Sequence, residues 1–436
     1  MPSPTSSRRR ILRGALTVAL ATGLSTALVA CSDTDTDTNT DTDTSAMKTS
    51  TGRDASLDAR LAPLAQKAAD TGSLGVIVRV DRGTGKPLAI ARQTAWTKAD
   101  HHLAANDQFR VASNTKTVTA TLILQQVAEH TIGLSDPVEK WLPGLVPHGQ
   151  DITVKMLLNH TSGLGDYLLT PQFLPTLTGQ EKRTWTAEEL LAITPQQDPP
   201  AAPGEKYSYS NANYAALGLI LEKATGKSLA DLFEQKIIKP LGMKDTFLST
   251  NADFSPGKTH ATGYEPDAQR LRRILPPELH VPEGTAFAGP KRPHGNTDTT
   301  AVDSSWSWAA GGLVSTAADW QRFQTALLSG NLLPGAQMKQ MLTAVPAPEE
   351  GGGYGLGLME VNTPCGTVWG HTGGQPGYSS EIYTDKSGRR SAAVLTVTNF
   401  GIKEPKAAAA NKALVDAAVC TMLGKPLPTE SATPSR

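Results

Sequence analysis

The chain has 436 residues, enough for one large domain or two of ordinary size. Hydrophobic residues make up 39% and charged residues 19%, which is typical of a globular protein. Because 41 basic residues balance 41 acidic ones, the composition gives no electrostatic reason to expect nucleic acid as a partner.

The N-terminus has the pattern of a bacterial export signal. Arginines at 8–10 and 13 precede an uncharged, largely apolar run over residues 14–30. The run is shorter than the ~20 residues of a membrane-spanning helix and suits a signal peptide. It ends in Leu28-Val29-Ala30-Cys31, which resembles a lipoprotein box. We predict a signal peptide over 1–31, a lipid anchor on Cys31, and a body exported to the outer face of the cell membrane; a stop-transfer anchor is the alternative.

The cysteine count agrees with export. If Cys31 carries lipid, Cys365 and Cys420 remain as an even pair in an oxidising compartment. We predict that they form a disulfide, with two buried free thiols as the alternative.

An Asp-Thr repeat follows the signal. Residues 32–45 contain no apolar side chain and cannot bury a core. We predict a disordered linker over 32–54, a single folded domain over 55–424 and a loose tail over 425–436.

The folded domain begins with a predicted helix that ends at Gly72 and a β-hairpin. Apolar residues at helical spacing run from Leu57 to Ala68, and β-rich runs at 74–80 and 87–94 flank a glycine-containing turn.

Residues 109–116, Phe-Arg-Val-Ala-Ser-Asn-Thr-Lys, lead into an apolar helical run with a predicted stop at Gly133. Ser113 therefore lies at or near a helix N-terminus, and Lys116 is one turn further on the same face. A neutral, buried amine can act as base for the serine hydroxyl, and free helix N–H groups can stabilise an oxyanion. Ser-x-x-Lys also occurs at Ser45 and Ser255, but only Ser113 opens a helix.

The remaining elements predict an α+β fold. Helices dominate residues 113–248, residues 250–300 show little periodicity, and a helix returns from Ser315. Four strand-like runs over 354–399 and a helix over 407–423 follow. We predict an antiparallel sheet flanked by N- and C-terminal helices (lobe 55–112 and 305–424) with a large, mainly helical inserted lobe (113–304), and a site where the lobes meet.

Tyr209 and Asn211 form a polar group just before an apolar helix. A phenol near a cationic amine can have a lowered pKa and shuttle protons, and an amide can hold a substrate amide. The alternative is a helix cap with aromatic rings packed in the core.

His371-Thr372-Gly373-Gly374 ends a predicted strand. Glycines there allow another backbone to approach closely and leave amide groups free for a ligand. A tight bend in an edge strand is the alternative.

Together and in this order, Ser-x-x-Lys, Tyr-Ser-Asn and His-Thr-Gly resemble the motifs of the penicillin-recognising serine hydrolases. These are D-alanyl-D-alanine carboxypeptidases, class C β-lactamases and their esterase relatives. Residues 157–164, 240–243 and 310–316 are also similar to that family, and the resemblance covers roughly residues 55–422.

The resemblance implies a role for each motif residue. Ser113 forms an acyl-enzyme, Lys116 is the base or positions the proton, and Tyr209 relays the proton to the leaving group. Asn211 holds the substrate amide, and the N–H groups of Ser113 and Gly374 form the oxyanion hole.

The strand end is implied to bind the substrate carboxylate through His371, Thr372 and Gly373. Many relatives have Lys at the position of His371, and His there is more typical of carboxypeptidases.

We therefore predict a D-Ala-D-Ala carboxypeptidase-like hydrolase that acts on peptidoglycan-type peptides or β-lactams. No His-Glu-x-x-His or Cys/His spacing is present, so we expect neither metal nor cofactor. His160 is interpreted as structural. A class C-type β-lactamase, a small-ester hydrolase and a non-catalytic binder of cell-wall peptides or penicillin remain as alternatives.

Overall fold

The computed structural model describes residues 49–195, 201–249, 251–275 and 281–427. The predicted signal peptide, the lipidation of Cys31 and most of the predicted linker lie outside these residues, as do residues 428–436 of the predicted tail. Among the described residues, no helix has both the length and the hydropathy that a bilayer span requires.

The strands that the structure describes are, in chain order, β1 (Gly75–Asp81), β2 (Leu88–Gln93), β3 (Phe109–Arg110), β4 (Phe247–Leu248), β5 (Tyr264–Pro266), β6 (Lys291–Arg292), β7 (Asn296–Asp298), β8 (Leu313–Ser315), β9 (Val345–Ala347), β10 (Gly352–Tyr354), β11 (Met359–Thr363), β12 (Gly366–Gln375), β13 (Tyr378–Thr384) and β14 (Ser391–Thr396).

The α-helices of the same residues are α1 (Thr49–Ala68), α2 (Thr115–Ala128), α3 (Val138–Trp141), α4 (Val154–Leu158), α5 (Leu174–Leu177), α6 (Ala187–Ala192), α7 (Asn211–Thr225), α8 (Leu229–Phe233), α9 (Ala268–Ile274), α10 (Trp308–Gly311), α11 (Ala317–Leu328), α12 (Gly335–Met341) and α13 (Pro405–Leu423).

One antiparallel sheet of eight strands joins the two ends of the chain. Its order is β2-β1-β14-β13-β12-β11-β10-β9, so the N-terminal hairpin pairs with the last strand. Val76 and Val78 of β1 pack with α1 and α13 on one face, whereas Ile77 packs into the main core on the other. This alternation follows from the period of two along a strand, and it confirms the predicted α+β fold.

Helix α2 lies at the centre of the inserted helices. Its side chains are buried on nearly all sides, which suits its mixture of small and apolar residues. It ends at Ala128 rather than at the predicted Gly133, because the backbone at His130 adopts a positive φ of 59°.

Two parts of the structure differ from the sequence-based expectation. Helix α1 begins at Thr49, within the predicted linker. Residues 250–300 contain α9 and a small sheet of order β5-β7-β6. These strands have two or three residues each, too few for alternation to be recognised in the sequence.

A disulfide joins the sheet to the last helix. Cys365 lies in the turn between β11 and β12 and is bonded to Cys420 of α13, with the two Cα atoms 5.3 Å apart. The bond fastens the hairpin whose second strand, β12, leads towards Ser113.

Candidate active site

Ser113 lies in a tight turn between β3 and α2. Residues 112–114 form one 3₁₀ turn, and Ala112 has a φ of +50°, a conformation that non-glycine residues rarely adopt. Asn114 Nδ2 donates to Ser380 Oγ on β13 at 2.9 Å, and Ser380 Oγ donates to Val111 O at 2.9 Å. These bonds hold the turn against the main sheet and leave Ser113 half-exposed.

The strand β12 passes close to this turn. A Cβ atom at Gly373 would lie 2.3 Å from Val111 O, so only glycine permits the approach. The predicted close approach of another backbone therefore occurs, and that backbone belongs to the Ser113 turn.

One edge of β12 is free beside Ser113. β11 pairs with β12 only as far as Gly370, whereas β13 pairs with it to Gln375. Gln375 and Tyr378 flank a two-residue loop, so the backbone groups of Gln375 point towards β13. Backbone groups alternate in direction along an antiparallel strand. The N–H of the preceding residue, Gly374, therefore points to the unpaired edge of β12. This N–H and that of Ser113 are the donors that the sequence predicts for an oxyanion.

Lys116 is fully buried and contacts Ser113. Its Nζ lies 3.1 Å from Ser113 Oγ, 2.7 Å from Asn211 Oδ1 and 2.7 Å from Ala310 O. The last two atoms can only accept hydrogen bonds, so they take two hydrogens of the amine. In a neutral amine the remaining lone pair therefore faces the Ser113 hydroxyl.

The electrostatic surroundings favour that neutral amine. Burial lowers the pKa of Lys116 to about 7, and the negative charges of Asp166 and Glu350 oppose the shift. Near neutral pH a large fraction of Lys116 is thus deprotonated and can accept the Ser113 proton.

Tyr209 contacts the same serine. Its hydroxyl is hydrogen-bonded to the Ser113 side chain, its ring centroid lies 4.9 Å from Lys116 Nζ, and the ring stacks on His160 at 4.3 Å. Burial raises the pKa of Tyr209 well above its usual value, and the charges of Glu350 and Asp166 add to the shift. The interpretation of Tyr209 as a phenol of lowered pKa is therefore wrong. The hydroxyl stays protonated and can act as a proton donor.

Asn211 links the amine to a carboxylate that the motifs did not reveal. Its Nδ2 donates to Asp166 Oδ2 at 2.8 Å while its Oδ1 accepts from Lys116. Asp166 also accepts from the N–H groups of Asn211 and Leu168. Asn211 thus positions Lys116. The sequence predicts that Asn211 holds a substrate amide, but its Oδ1 already accepts a hydrogen bond from Lys116.

His371 is close to the site but turned into the protein. It is 1% exposed, its Nδ1 bonds Thr372 O, and its Nε2 lies 2.8 Å from the hydroxyl of Tyr354. Burial lowers the pKa of His371 to about 3, so the ring is neutral. Since both nitrogens are engaged, this geometry does not support the predicted contact of His371 with a substrate carboxylate. Thr372 remains half-exposed on the strand.

His160 has a positioning role, as the sequence interpretation expects. Its Nδ1 lies 3.2 Å from Ser210 N and 3.0 Å from Asn213 Nδ2, at the start of α7. The buried ring supports Tyr209 from behind.

Sequence reasoning missed Asp166, Glu350 and the carbonyl of Ala310. Asp166 follows a glycine and Glu350 precedes one, and neither belongs to a recognisable sequence motif. The position of a backbone carbonyl cannot be inferred from the type of side chain. Within the part of the chain that the structure describes, no three His, Cys, Asp or Glu side chains are arranged to hold a metal ion.

Comparisons with known proteins identify the family of this chain. Residues 61–417 match the Beta-lactamase family model. Penicillin-binding protein 4* of Bacillus subtilis is 29% identical over 64% of this chain, and the match spans 58% of that protein's length. Esterase EstB of Burkholderia gladioli is 29% identical over 79% of this chain and 92% of its own.

A solved structure gives the same result. The D-stereospecific amidohydrolase from a Streptomyces species superposes with a TM-score of 0.67 at 31% identity, covering 83% of this chain and 98% of the amidohydrolase. The names of these relatives describe different activities: penicillin binding, ester hydrolysis and D-stereospecific amide hydrolysis. With the family match extending over most of the sequence, the chain belongs to the β-lactamase family.

Proposed function

We propose that this protein is a serine hydrolase that cleaves D-Ala-D-Ala-type peptides through an acyl-enzyme on Ser113. The observation that carries the proposal is the bonding of Lys116: two pure acceptors take two of its hydrogens, and Ser113 Oγ occupies the third position. A neutral amine held in this way is suited to removing the serine proton during attack. The penicillin-binding and D-stereospecific relatives support the choice of substrate.

In the proposed reaction, Ser113 Oγ attacks the substrate carbonyl as its proton passes to Lys116 Nζ. The oxyanion is stabilised by the N–H groups of Ser113 and Gly374. Tyr209 donates its proton to the departing amine, and the proton on Lys116 restores that of Tyr209. Water then attacks the ester and releases the acid.

A hydrolase of D-amino-acid amides or esters is the second candidate. The buried, neutral state of His371 favours it, because no cationic side chain of the strand is left to bind a C-terminal carboxylate. Acetyl-D-Ala-D-Ala and acetyl-D-Ala-D-alaninamide differ only in this carboxylate. A higher kcat/KM for the former supports the carboxypeptidase; equal values support the second candidate.

A fluorescent penicillin tests the acyl-enzyme. We expect labelling of the purified protein, loss of labelling in Ser113→Ala, and unchanged labelling in Ser255→Ala, which alters the other described Ser-x-x-Lys sequence. Slow release of the label during a chase supports a peptidase and fast release a β-lactamase. Labelling of Ser113→Ala would overturn the assignment of the nucleophile.

The export of the protein is also part of the proposal. The apolar run before Cys31 supports a lipoprotein anchored at the outer face of the membrane. Cells grown with labelled palmitate should incorporate it into the native protein and not into Cys31→Ser; incorporation into both would contradict the anchor.

A further inference from the structure

Glu350 lies at one end of a row of aromatic rings that extends from the proposed active site. This row, the tyrosine wall, consists of Tyr207, Tyr209 and Tyr354 around His160. Tyr207 and Tyr209 are two residues apart, and both rings border His160 and Tyr354, with centroid distances of 4.3 to 6.5 Å. The two tyrosines are partly exposed. The wall thus runs from the Ser113 hydroxyl, at Tyr209, to Tyr207.

The carboxyl group of Glu350 is at the far end of this wall and is only partly satisfied. Its Oε1 accepts from the hydroxyl of Tyr207 at 2.9 Å, while no described residue donates a hydrogen bond to its Oε2. Glu350 is 8% exposed. The second oxygen can therefore accept a hydrogen bond from a bound ligand.

The surroundings of Glu350 select the kind of donor. A carboxylate attracts an ammonium group through its charge, and the resulting charge-assisted hydrogen bond is stronger than one between neutral groups. Burial raises the pKa of Glu350 to about 7, so the carboxyl group carries its negative charge above neutral pH. There the charge acts at the catalytic centre as well, since it favours the protonated forms of Lys116 and Tyr209.

The position of the wall indicates which part of the substrate carries the ammonium. In the proposed function, on which this step rests, Tyr209 gives its proton to the leaving amine. Tyr207 and Glu350 lie beyond Tyr209 on the same wall. We propose that the leaving group extends along this wall to Glu350, and that the Glu350 carboxylate forms a subsite for a protonated amine of the leaving group.

A matched pair of substrates tests the subsite. Acetyl-D-Ala-D-Lys and acetyl-D-Ala-D-norleucine have side chains of similar length that differ in the ammonium group. We expect the wild-type protein to prefer the lysine substrate by about tenfold in kcat/KM. The ratio should fall to near one in Glu350→Gln, which keeps an acceptor for Tyr207 and removes the charge.

Two further variants separate the carboxylate from its neighbours. Glu349→Gln removes a negative charge from the adjacent residue and should keep the tenfold ratio. Tyr207→Phe removes the hydroxyl of Tyr207 and leaves the Glu350 carboxylate in place. This variant should also keep the tenfold ratio. A ratio near one in the wild type, a ratio unchanged in Glu350→Gln, or a ratio lost in either other variant overturns the subsite.

Penicillin labelling distinguishes a failure of the subsite from a failure of the proposed function. If the wild type labels at Ser113 and cleaves both substrates equally, only the subsite is wrong. If it neither labels nor cleaves, the proposed hydrolase is wrong.

Discussion

The polar cluster around Lys116 and the one around Glu265 are both buried, but their hydrogen bonds are satisfied in different ways. Lys116 has two fixed acceptors and a third partner, the Ser113 hydroxyl, that can exchange a proton with it. Glu265, on β5, has only buried partners, three of which are backbone N–H groups. Its carboxylate accepts four hydrogen bonds of 2.7 to 3.1 Å, from the N–H groups of Gly377, Asn399 and Phe400 and from Thr398 Oγ1.

This difference separates a group that can do chemistry from one that holds the backbone. The donors to Glu265 lie in the turn after β12 and just beyond β14, so its carboxylate joins residues 250–300 to the sheet that carries Gly374. Both groups have pKa values moved to about 7 by burial. A shifted pKa is therefore no sign of catalysis unless the group contacts a side chain that a substrate can reach, as Lys116 contacts the partly exposed Ser113.

The largest expected effect is on the rate of acylation. Lys116→Met should lower the rate of penicillin labelling at least ~1,000-fold, because the serine loses its base. The free energy of unfolding should change by less than about 2 kcal/mol, since an apolar side chain of similar length replaces a buried amine. Labelling kinetics and urea unfolding measure the two quantities. Normal labelling of Lys116→Met would show that Lys116 is not the base. Strong destabilisation would show that Lys116, like Glu265, is needed for folding.

Glu265→Ala should have the opposite profile. At pH 6 it should lower the free energy of unfolding by about 3 kcal/mol, because three buried N–H groups lose their acceptor. Glu283→Ala is the control in the same segment. That carboxylate is exposed and, among the described residues, pairs with Arg272, so a change below ~0.5 kcal/mol is expected. Equal urea midpoints for the two variants would show that Glu265 does not anchor the backbone.

The pH dependence of stability sharpens the comparison. The folded pKa of Glu265 is raised from 4.5 to about 7, so between these values the folded state binds more protons than the unfolded state. The contribution of Glu265 to the free energy of unfolding therefore falls as the pH rises from 4.5 to about 7, by about 1 kcal/mol per pH unit. Glu265→Gln should flatten the slope of unfolding free energy against pH by that amount, whereas Glu283→Gln should not. An unchanged slope in Glu265→Gln would contradict the raised pKa.

The smallest effect concerns the pH profile of acylation. The rate should rise with pH through about 7 as Lys116 loses its proton. Asp166→Asn removes a negative charge that stabilises the protonated amine, so this limb should move to lower pH, by less than about one pH unit. A shift to higher pH, or none, would mean that Asp166 does not influence Lys116.

The sequence alone predicted the local elements and indicated which side chains are the candidate reactive groups. The apolar periodicity after Ser113 indicated a helix with Lys116 one turn away, because helical spacing brings residues three apart to one face. The alternating and β-rich runs near both termini indicated one antiparallel sheet. Both inferences depend on residues close together in the chain, whose geometry is set by backbone periods.

The tertiary structure decided what surrounds those groups. Only packing shows that Asp166 lies behind Asn211, that His371 is turned inward onto Tyr354, and that Glu350 accepts a hydrogen bond from Tyr207. Only packing shows that Tyr209 has a raised pKa, since burial outweighs the nearby amine. Desolvation and hydrogen-bond satisfaction depend on residues far apart in the chain, and no local spacing records which of them meet.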